Sequence, residues 1–304
     1  MTRMGGTAQP SPPEPITHNP AGSTAPDTEL ENSTMKLLSK LAAAAAVLWL
    51  PAHGLAGAAD TAGLLELEYT DGRPASLGVE DVNAVLNSVG VRVSTVAIPD
   101  QALPILETSR SRTITAEEEA QLISAFELTR EDLLTEIAAA GREPTVENGG
   151  SLTTSEPGVA PYPKVYDMNK MDAQTRVWVH KKFGPLHINH AEDGTGIDEV
   201  MTIASGGPWV WFFELPGDVI GKLTLGHVGP DGAAWRISYP GIRPHGGFLN
   251  PEYGLVVAYA HGPEQFEIHF DADNVAGSRL NGTNAWIDFA GEKPVLLDTL
   301  PKSN

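Results

Sequence analysis

The stretch "GIDEVMTIASGGPWVWFFELPGD", residues 196–218, holds two apolar runs hinged on Gly206-Gly207. "DEVMTIAS" and "PWVWFFEL" have strand length and β-branched and aromatic content, and Pro216-Gly217-Asp218 supplies the next turn. The pattern continues on both sides. "TRVWVHKKF", "KLTLGHV", "AWRISY", "GLVVAYA", "QFEIHFD" and "NAWIDFA" complete eight short runs between Lys164 and the C-terminus, separated by Gly, Pro and Asp. Eight strands at this spacing leave no room for crossover helices, so residues 164–304 read as an all-β sandwich or small barrel.

Upstream the texture changes. Residues 64–142 read as a small α/β module. "LLELEY" and "VRVSTVAI" alternate as strands, while Val79, Val82, Val85, Leu86 and Val89 fall at helical spacing with Gly90 as the stop. Thr115 with Glu118, and Thr129 with Asp132, mark two helix starts as capping boxes, and Gly141 closes the second helix. Residues 143–163, rich in Pro, Gly, Ser and Thr, read as a linker. The expected class is therefore α+β overall.

The N-terminus carries two further expectations. Residues 1–34 have almost no apolar clusters and read as a disordered extension or a misassigned start, with Met35 as the alternative initiator. Residues 35–58 have the layout of a secretory signal peptide: Lys36 and Lys40, the apolar run Leu41–Leu50, then Ala56-Gly57-Ala58. That run is too short for a stable membrane span. A periplasmic or secreted protein is expected.

Charge and composition exclude several function classes. The chain of 304 residues has 39 acidic and 20 basic residues, a net charge of −19, which repels nucleic acid and anionic membranes. It has no cysteine, so thiolate metal sites and cysteine nucleophiles are ruled out. The chain has no G-x-S-x-G elbow, Walker A loop, G-x-G-x-x-G or H-E-x-x-H.

What remains is histidine. Seven of nine lie beyond residue 179: His180, His187, His190, His227, His245, His261 and His269. Without thiolates, a divalent metal site is built from imidazole and carboxylate. "GPLHINHAEDGTGIDEVMTIASGG" places a Gly before two His, then Glu199, six residues and Gly206, and "YPGIRPHGGFLN" places a Pro/Gly turn before His245 and Asn250. These segments resemble the two motifs of the cupin superfamily. The resemblance implies a double-stranded β-helix, a jelly-roll barrel, whose interior holds one divalent metal (Fe, Mn, Zn or Ni) on His187, His190, Glu199 and His245. It also implies a small-molecule ligand and pairing into a homodimer.

One departure bears on the ligand set. His187 and His190 have two residues between them, and on a regular strand they face opposite ways. Either a bulge realigns them, or only one is a ligand with Asn189 beside it. Glu199 and Arg243 are the candidate catalytic residues, Arg243 through a substrate carboxylate. Trp209, Trp211, Tyr239 and Asn250 are candidate substrate contacts, with Phe213, Trp235 and Tyr259 as further wall. The expected function is a metal-dependent oxidoreductase, isomerase or lyase, with dioxygenase chemistry among the options. The alternatives are a non-catalytic periplasmic module binding a small molecule or carbohydrate, and an interaction protein in which the barrel is scaffold.

Overall fold

The computed structural model describes residues 63–146, 161–271 and 276–300, together with the backbone of 153–154. The extension 1–34, the signal peptide 35–58 and most of the linker 143–163 lie outside the described residues. In chain order the elements are β1 (Leu65–Tyr69), β2 (Ser76–Leu77), α1 (Gly78–Leu86), β3 (Arg92–Ala97), α2 (Leu103–Thr108), α3 (Ala116–Ala125) and α4 (Arg130–Ala139). Then follow β4 (Thr153–Thr154), β5 (Lys164–Asp167), α5 (Ala173–Phe183), β6 (Ile188–His190), β7 (Asp198–Ile203), β8 (Trp209–Leu215) and β9 (Val219–Leu225). The chain ends with β10 (Ala233–Pro240), β11 (His245–Phe248), β12 (Leu255–His261), β13 (Gln265–His269), β14 (Ile287–Asp288) and β15 (Val295–Leu296).

Two five-stranded sheets dominate, ordered β11-β8-β9-β1-β2 and β3-β10-β7-β12-β5, with antiparallel pairing throughout. Strand alternation decides what each sheet buries. Trp209, Trp211, Phe213 and Leu215 of β8 share one core with Met201 and Ile203 of β7, Trp235 and Ile237 of β10, and Val256 and Ala258 of β12. The opposite faces are also covered. Val200, Leu255, Val257 and Tyr259 pack against Leu106, Leu122 and Leu133 of the helices, while Val210 and Phe212 pack against Leu186, Trp286 and Ile287. Burial on both faces explains why "LVVAYAH" reads as a nearly continuous apolar run and not as clean alternation, and why even Asp198, Glu199 and Thr202 of β7 are buried.

The expected linker does not divide two folded units. β1 pairs with β9, and β3 pairs with β10, so the 64–142 segment contributes a strand to each large sheet. Alternation marks those strands, but it carries no information about which partner a strand finds. Both capping boxes form as expected, with Thr115 and Thr129 each accepting from the N3 backbone amide.

Two expected strands are different objects. "TRVWVHKKF" is helix α5: Asp172, just outside the alternating window, accepts from the Thr175 amide at 2.7 Å and starts the helix. "NAWIDFA" contributes only the two residues of β14. The helix end settles against β11 because Gly246 has no side chain; a Cβ there would stand 2.7 Å from the Gly184 carbonyl oxygen.

Gly206 is similarly constrained. Its φ is +78°, and a Cβ would fall 2.1 Å from the Tyr253 carbonyl oxygen and 2.8 Å from the Gly254 Cα. Neither contact can yield without backbone movement. Gly206→Ala is expected to cost roughly 2–3 kcal/mol, read as a lower urea midpoint; an unchanged midpoint would contradict this packing.

Candidate functional site

Parity along the β strands builds the site. Glu199 of β7 lies on the inner phase with Met201, paired across to Tyr239 of β10 on one side and Ala260 of β12 on the other. His187 and His245 form a two-bond bridge, His187 N–H to His245 O at 2.9 Å and His245 N–H to His187 O at 3.0 Å. Cross-strand partners project to the same face, and the two imidazole centroids are 4.5 Å apart. Asn189, two residues on from His187, shares its face; His190 does not.

His187, Asn189, Glu199 and His245 all line one cavity of about 80 Å³. All four are at least nine-tenths buried. Tyr162 donates to Glu199 Oε1 at 2.6 Å, and Asn189 Nδ2 donates to Glu199 Oε2 at 2.9 Å. His245 Nε2 is 3.4 Å from Glu199 Oε2.

The tautomers follow from the carbonyls. His187 Nδ1 lies 2.9 Å from the Pro185 carbonyl, and His245 Nδ1 lies 2.8 Å from the Arg243 carbonyl. A carbonyl only accepts, so each Nδ1 carries the proton; a neutral ring then has Nε2 as its acceptor nitrogen, while a protonated His245 would donate from Nε2 to Glu199. The Asn189 Oδ1 is buried with no partner among the described residues. Reversing that amide would turn its oxygen onto the Glu199 carboxylate, so the orientation is fixed by its neighbours.

The electrostatics match. Burial alone would raise the Glu199 carboxyl, but His245, Tyr162 and Asn189 together hold it down at about 2. Burial, then the neighbouring His245, push His187 down to about 3. The cluster thus presents an anionic carboxylate and a neutral imidazole near neutral pH. The acceptors outnumber the donors, and a buried acceptor left unsatisfied costs about 1–3 kcal/mol. A cation would relieve that. Among the described residues no three His, Asp or Glu side chains form a ready-made metal cage. The cavity lining nonetheless offers two imidazoles, one carboxylate and one unpartnered amide oxygen, residue types that suit a borderline divalent ion.

Several residues that the sequence nominates sit elsewhere, and each is corrected by the geometry. His190 stacks on His269, centroids 3.8 Å apart and rings 2° from parallel, and its Nδ1 meets the Ala191 carbonyl. Arg243 is half-buried and does not line the cavity; its carbonyl, not its guanidinium, serves the site by holding His245. Trp209 lies deep in the core with its indole N–H on the Ser205 carbonyl. Trp235 donates to the Gly226 carbonyl, again away from the cavity. Phe213 is core against Tyr239, Tyr259 faces the helices on the outer phase, and Asn250 is exposed. Trp211 and Tyr239 do line the cavity.

Tyr162, Lys164 and Tyr166 also line it, and the motifs do not point to them. Their signal is the period-2 pattern in "PYPKVYD", hidden because the linker reading of 143–163 takes in Tyr162 and cuts it off from Lys164 and Tyr166.

The titration behaviour makes a prediction. His187 has a folded pKa below its unfolded one, so its contribution is full above about 6.5 and is lost as pH falls toward 3. His180, His261 and His269 are also lowered, chiefly by burial, and Glu199 adds the same trend between about 4.5 and 2. Asp198 is raised by burial and opposes the trend near pH 4. Stability should fall on the order of 3–5 kcal/mol between pH 7 and pH 4. Urea midpoints across that range check it; a flat profile would contradict the assigned neutral imidazoles.

No family model matches the chain. No curated protein matches it. Among solved structures it is similar to an acireductone dioxygenase from Bacillus anthracis, described with a cadmium ion in its active centre, at 13% identity and a TM-score of 0.43. The alignment covers 66% of this chain and 94% of that one.

Proposed function

We propose that the protein is a metal-dependent enzyme with a cupin-like, double-stranded β-helix arrangement of its two sheets, acting on a small molecule. The observation that carries this reading is the 3.4 Å approach of the His245 Nε2 to the Glu199 carboxylate, beside the orphaned Asn189 oxygen. The Asn189 amide nitrogen reaches both, 2.9 Å from the carboxylate and 3.4 Å from the imidazole nitrogen, and a positive charge there would serve them more strongly. A proton would serve one pair; a divalent ion would serve the whole set.

His187, His245 and Glu199 would hold the ion, with Asn189 as a fourth donor. When bound, such an ion supplies Lewis acidity or O₂ activation and gathers oxygen ligands of a substrate. The chain's own groups do the rest. The Pro185 and Arg243 carbonyls fix both imidazole tautomers, Tyr162 fixes the carboxylate, and Trp211 and Tyr239 exclude water from the chamber. Dioxygenase, isomerase and lyase reactions all suit this arrangement. Export is part of the proposal, resting on the signal-like residues 35–58, as is pairing of two copies on the strength of the cupin resemblance.

Elemental analysis of protein purified without a histidine tag is the test. Near-stoichiometric Fe, Mn, Zn or Ni supports the proposal. Protein that holds no divalent ion, and whose thermal stability ignores added ones, overturns it.

A further inference from the structure

Two glycines stand side by side on β11, and packing accounts for only one of them. At Gly246 a Cβ would fall 2.7 Å from the Gly184 carbonyl oxygen and 3.1 Å from that of Phe183, so the approach of α5 requires glycine there. At Gly247 a Cβ would meet nothing nearer than the Val210 carbonyl oxygen at 3.9 Å, an ordinary contact, and its φ lies outside the left-handed region. Glycine inside a strand is unfavourable, because it loses the most backbone freedom on folding and packs no side chain. Where neither a clash nor the backbone demands it, it often marks the close approach of a ligand.

Parity fixes which way that open position faces. Gly247 pairs with Trp211 as His245 pairs with Phe213, so both point to the inner face. Gly247 lines the chamber yet is half-buried, whereas His187, Asn189, Glu199 and His245 are at least nine-tenths buried. Tyr166 and Ile268 repeat the combination. Tyr166 points inward because Val165 packs outward, Ile268 pairs with Asn189, and both are partly exposed. An inward-facing residue that reaches solvent does so through the chamber's opening. Together with Phe183 and Leu249, also partly exposed, they make a mouth of apolar and aromatic groups over a polar floor. Lys164 is not part of the mouth; it is buried against the Tyr162 and Tyr166 rings.

We propose that the chamber takes its ligand head first and that Gly247 is the specificity-determining position: an oxygen-bearing head meets the His187–His245–Glu199 cluster, and an aliphatic tail leaves over Gly247, between Trp211 and Leu249. This inference deepens the proposed function and rests on it for the ion that receives the head. Size follows from the cavity. One water needs about 10–15 Å³ of such volume, so about 80 Å³ holds on the order of five to eight non-hydrogen atoms, and a longer molecule extends through the mouth. The substrate class is a short oxygenated head on an aliphatic chain, each methylene seated at the mouth adding up to about fourfold in affinity.

Acetohydroxamate, which fits within that volume, and hexanohydroxamate, which exceeds it, are the probes; both present the same head. Calorimetric titrations use the full chain with one equivalent of Mn²⁺, as wild type, Gly247→Ala and Gly247→Val. Wild type should bind hexanohydroxamate about tenfold more tightly or better. Gly247→Val should abolish that preference with acetohydroxamate unchanged, and Gly247→Ala should fall between. Urea midpoints need no ligand: Gly247→Ala should leave the midpoint level or higher, and Gly246→Ala should lower it. Equal binding of the two probes by wild type, binding of neither, a preference that survives Gly247→Val, loss of both probes alike, or a Gly247→Ala midpoint as low as that of Gly246→Ala would overturn the inference. Should Gly247→Val fail to fold, Gly247→Ala decides: a reduced preference supports the inference and an intact one overturns it. Failure of the proposed function shows separately, as absence of Mn²⁺ uptake. The ratio of hexanamide to acetamide binding on the metal-free chain then decides the role of Gly247 by the same outcomes.

Discussion

His245→Ala is expected to lower divalent-metal affinity by on the order of 100-fold or more while leaving the far-ultraviolet spectrum unchanged. Outer hydrogen-bond partners of metal ligands are worth about 10- to 100-fold each, so a direct ligand sets a larger loss. Glu199→Gln should do the same, because the amide keeps a hydrogen-bonding oxygen for Tyr162 but loses the charge that balances the ion. Combining the two should abolish uptake. His190→Ala is the informative control. The cupin-like motif would make His190 a ligand, whereas its ring is occupied in stacking on His269, so its removal should leave metal affinity within twofold. Metal content by elemental analysis after dialysis separates these cases. A His190 variant that loses metal while a His245 variant keeps it would reverse the assignment.

The second large effect concerns stability. Asp198, on β7 next to Glu199, accepts from Arg142 Nε at 3.2 Å and from the Thr145 amide at 3.2 Å. The side chains of Asp198 and Arg142 are 1% and 8% exposed. Burial raises the Asp198 carboxyl and lowers the Arg142 guanidinium in spite of their pairing, so desolvation outweighs mutual attraction on both sides. Such a pair contributes little net, yet breaking it strands a charge. Asp198→Ala should therefore cost about 3–5 kcal/mol, since among the described residues Arg142 would keep only the Ser238 hydroxyl and the Gly90 carbonyl. Replacing both partners, Asp198→Leu with Arg142→Met, should recover most of that loss. Urea unfolding of wild type, Asp198→Leu, Arg142→Met and the double variant gives the coupling directly; additive losses would show that the pair does not act as a unit.

Much of the fold is legible from the residues, for identifiable reasons. Strands β8 and β12 show as apolar runs because they are buried on both faces, β1 and β3 show by alternation, and the capping boxes show because their chemistry is local. Helix α5 is hidden because Val177 and Val179 alternate within it, while its start is signalled by Asp172 outside that window. Sheet membership of β1 and β3 cannot be read, since pairing across more than a hundred residues leaves no local mark.

The site shows the same division. Glu199, His187 and His245 are legible as residue types at a recognisable spacing. His190 against Asn189 is decidable by parity, once both lie on one strand-like path. Arg243 is misplaced because a guanidinium near a histidine in sequence says nothing of where it points, and here its backbone carbonyl is what the site uses. Tyr259 is misplaced because a strand covered on both faces gives no polar side to set its phase.

The most direct measurement is an anomalous diffraction map collected at the absorption edge of the metal that elemental analysis identifies. One peak is predicted, about 2.0–2.2 Å from the Nε2 atoms of His187 and His245 and from a Glu199 carboxylate oxygen, with the Asn189 amide oxygen at or near the fourth position. A peak between His190 and His269, or none in crystals of metal-replete protein, would contradict the account.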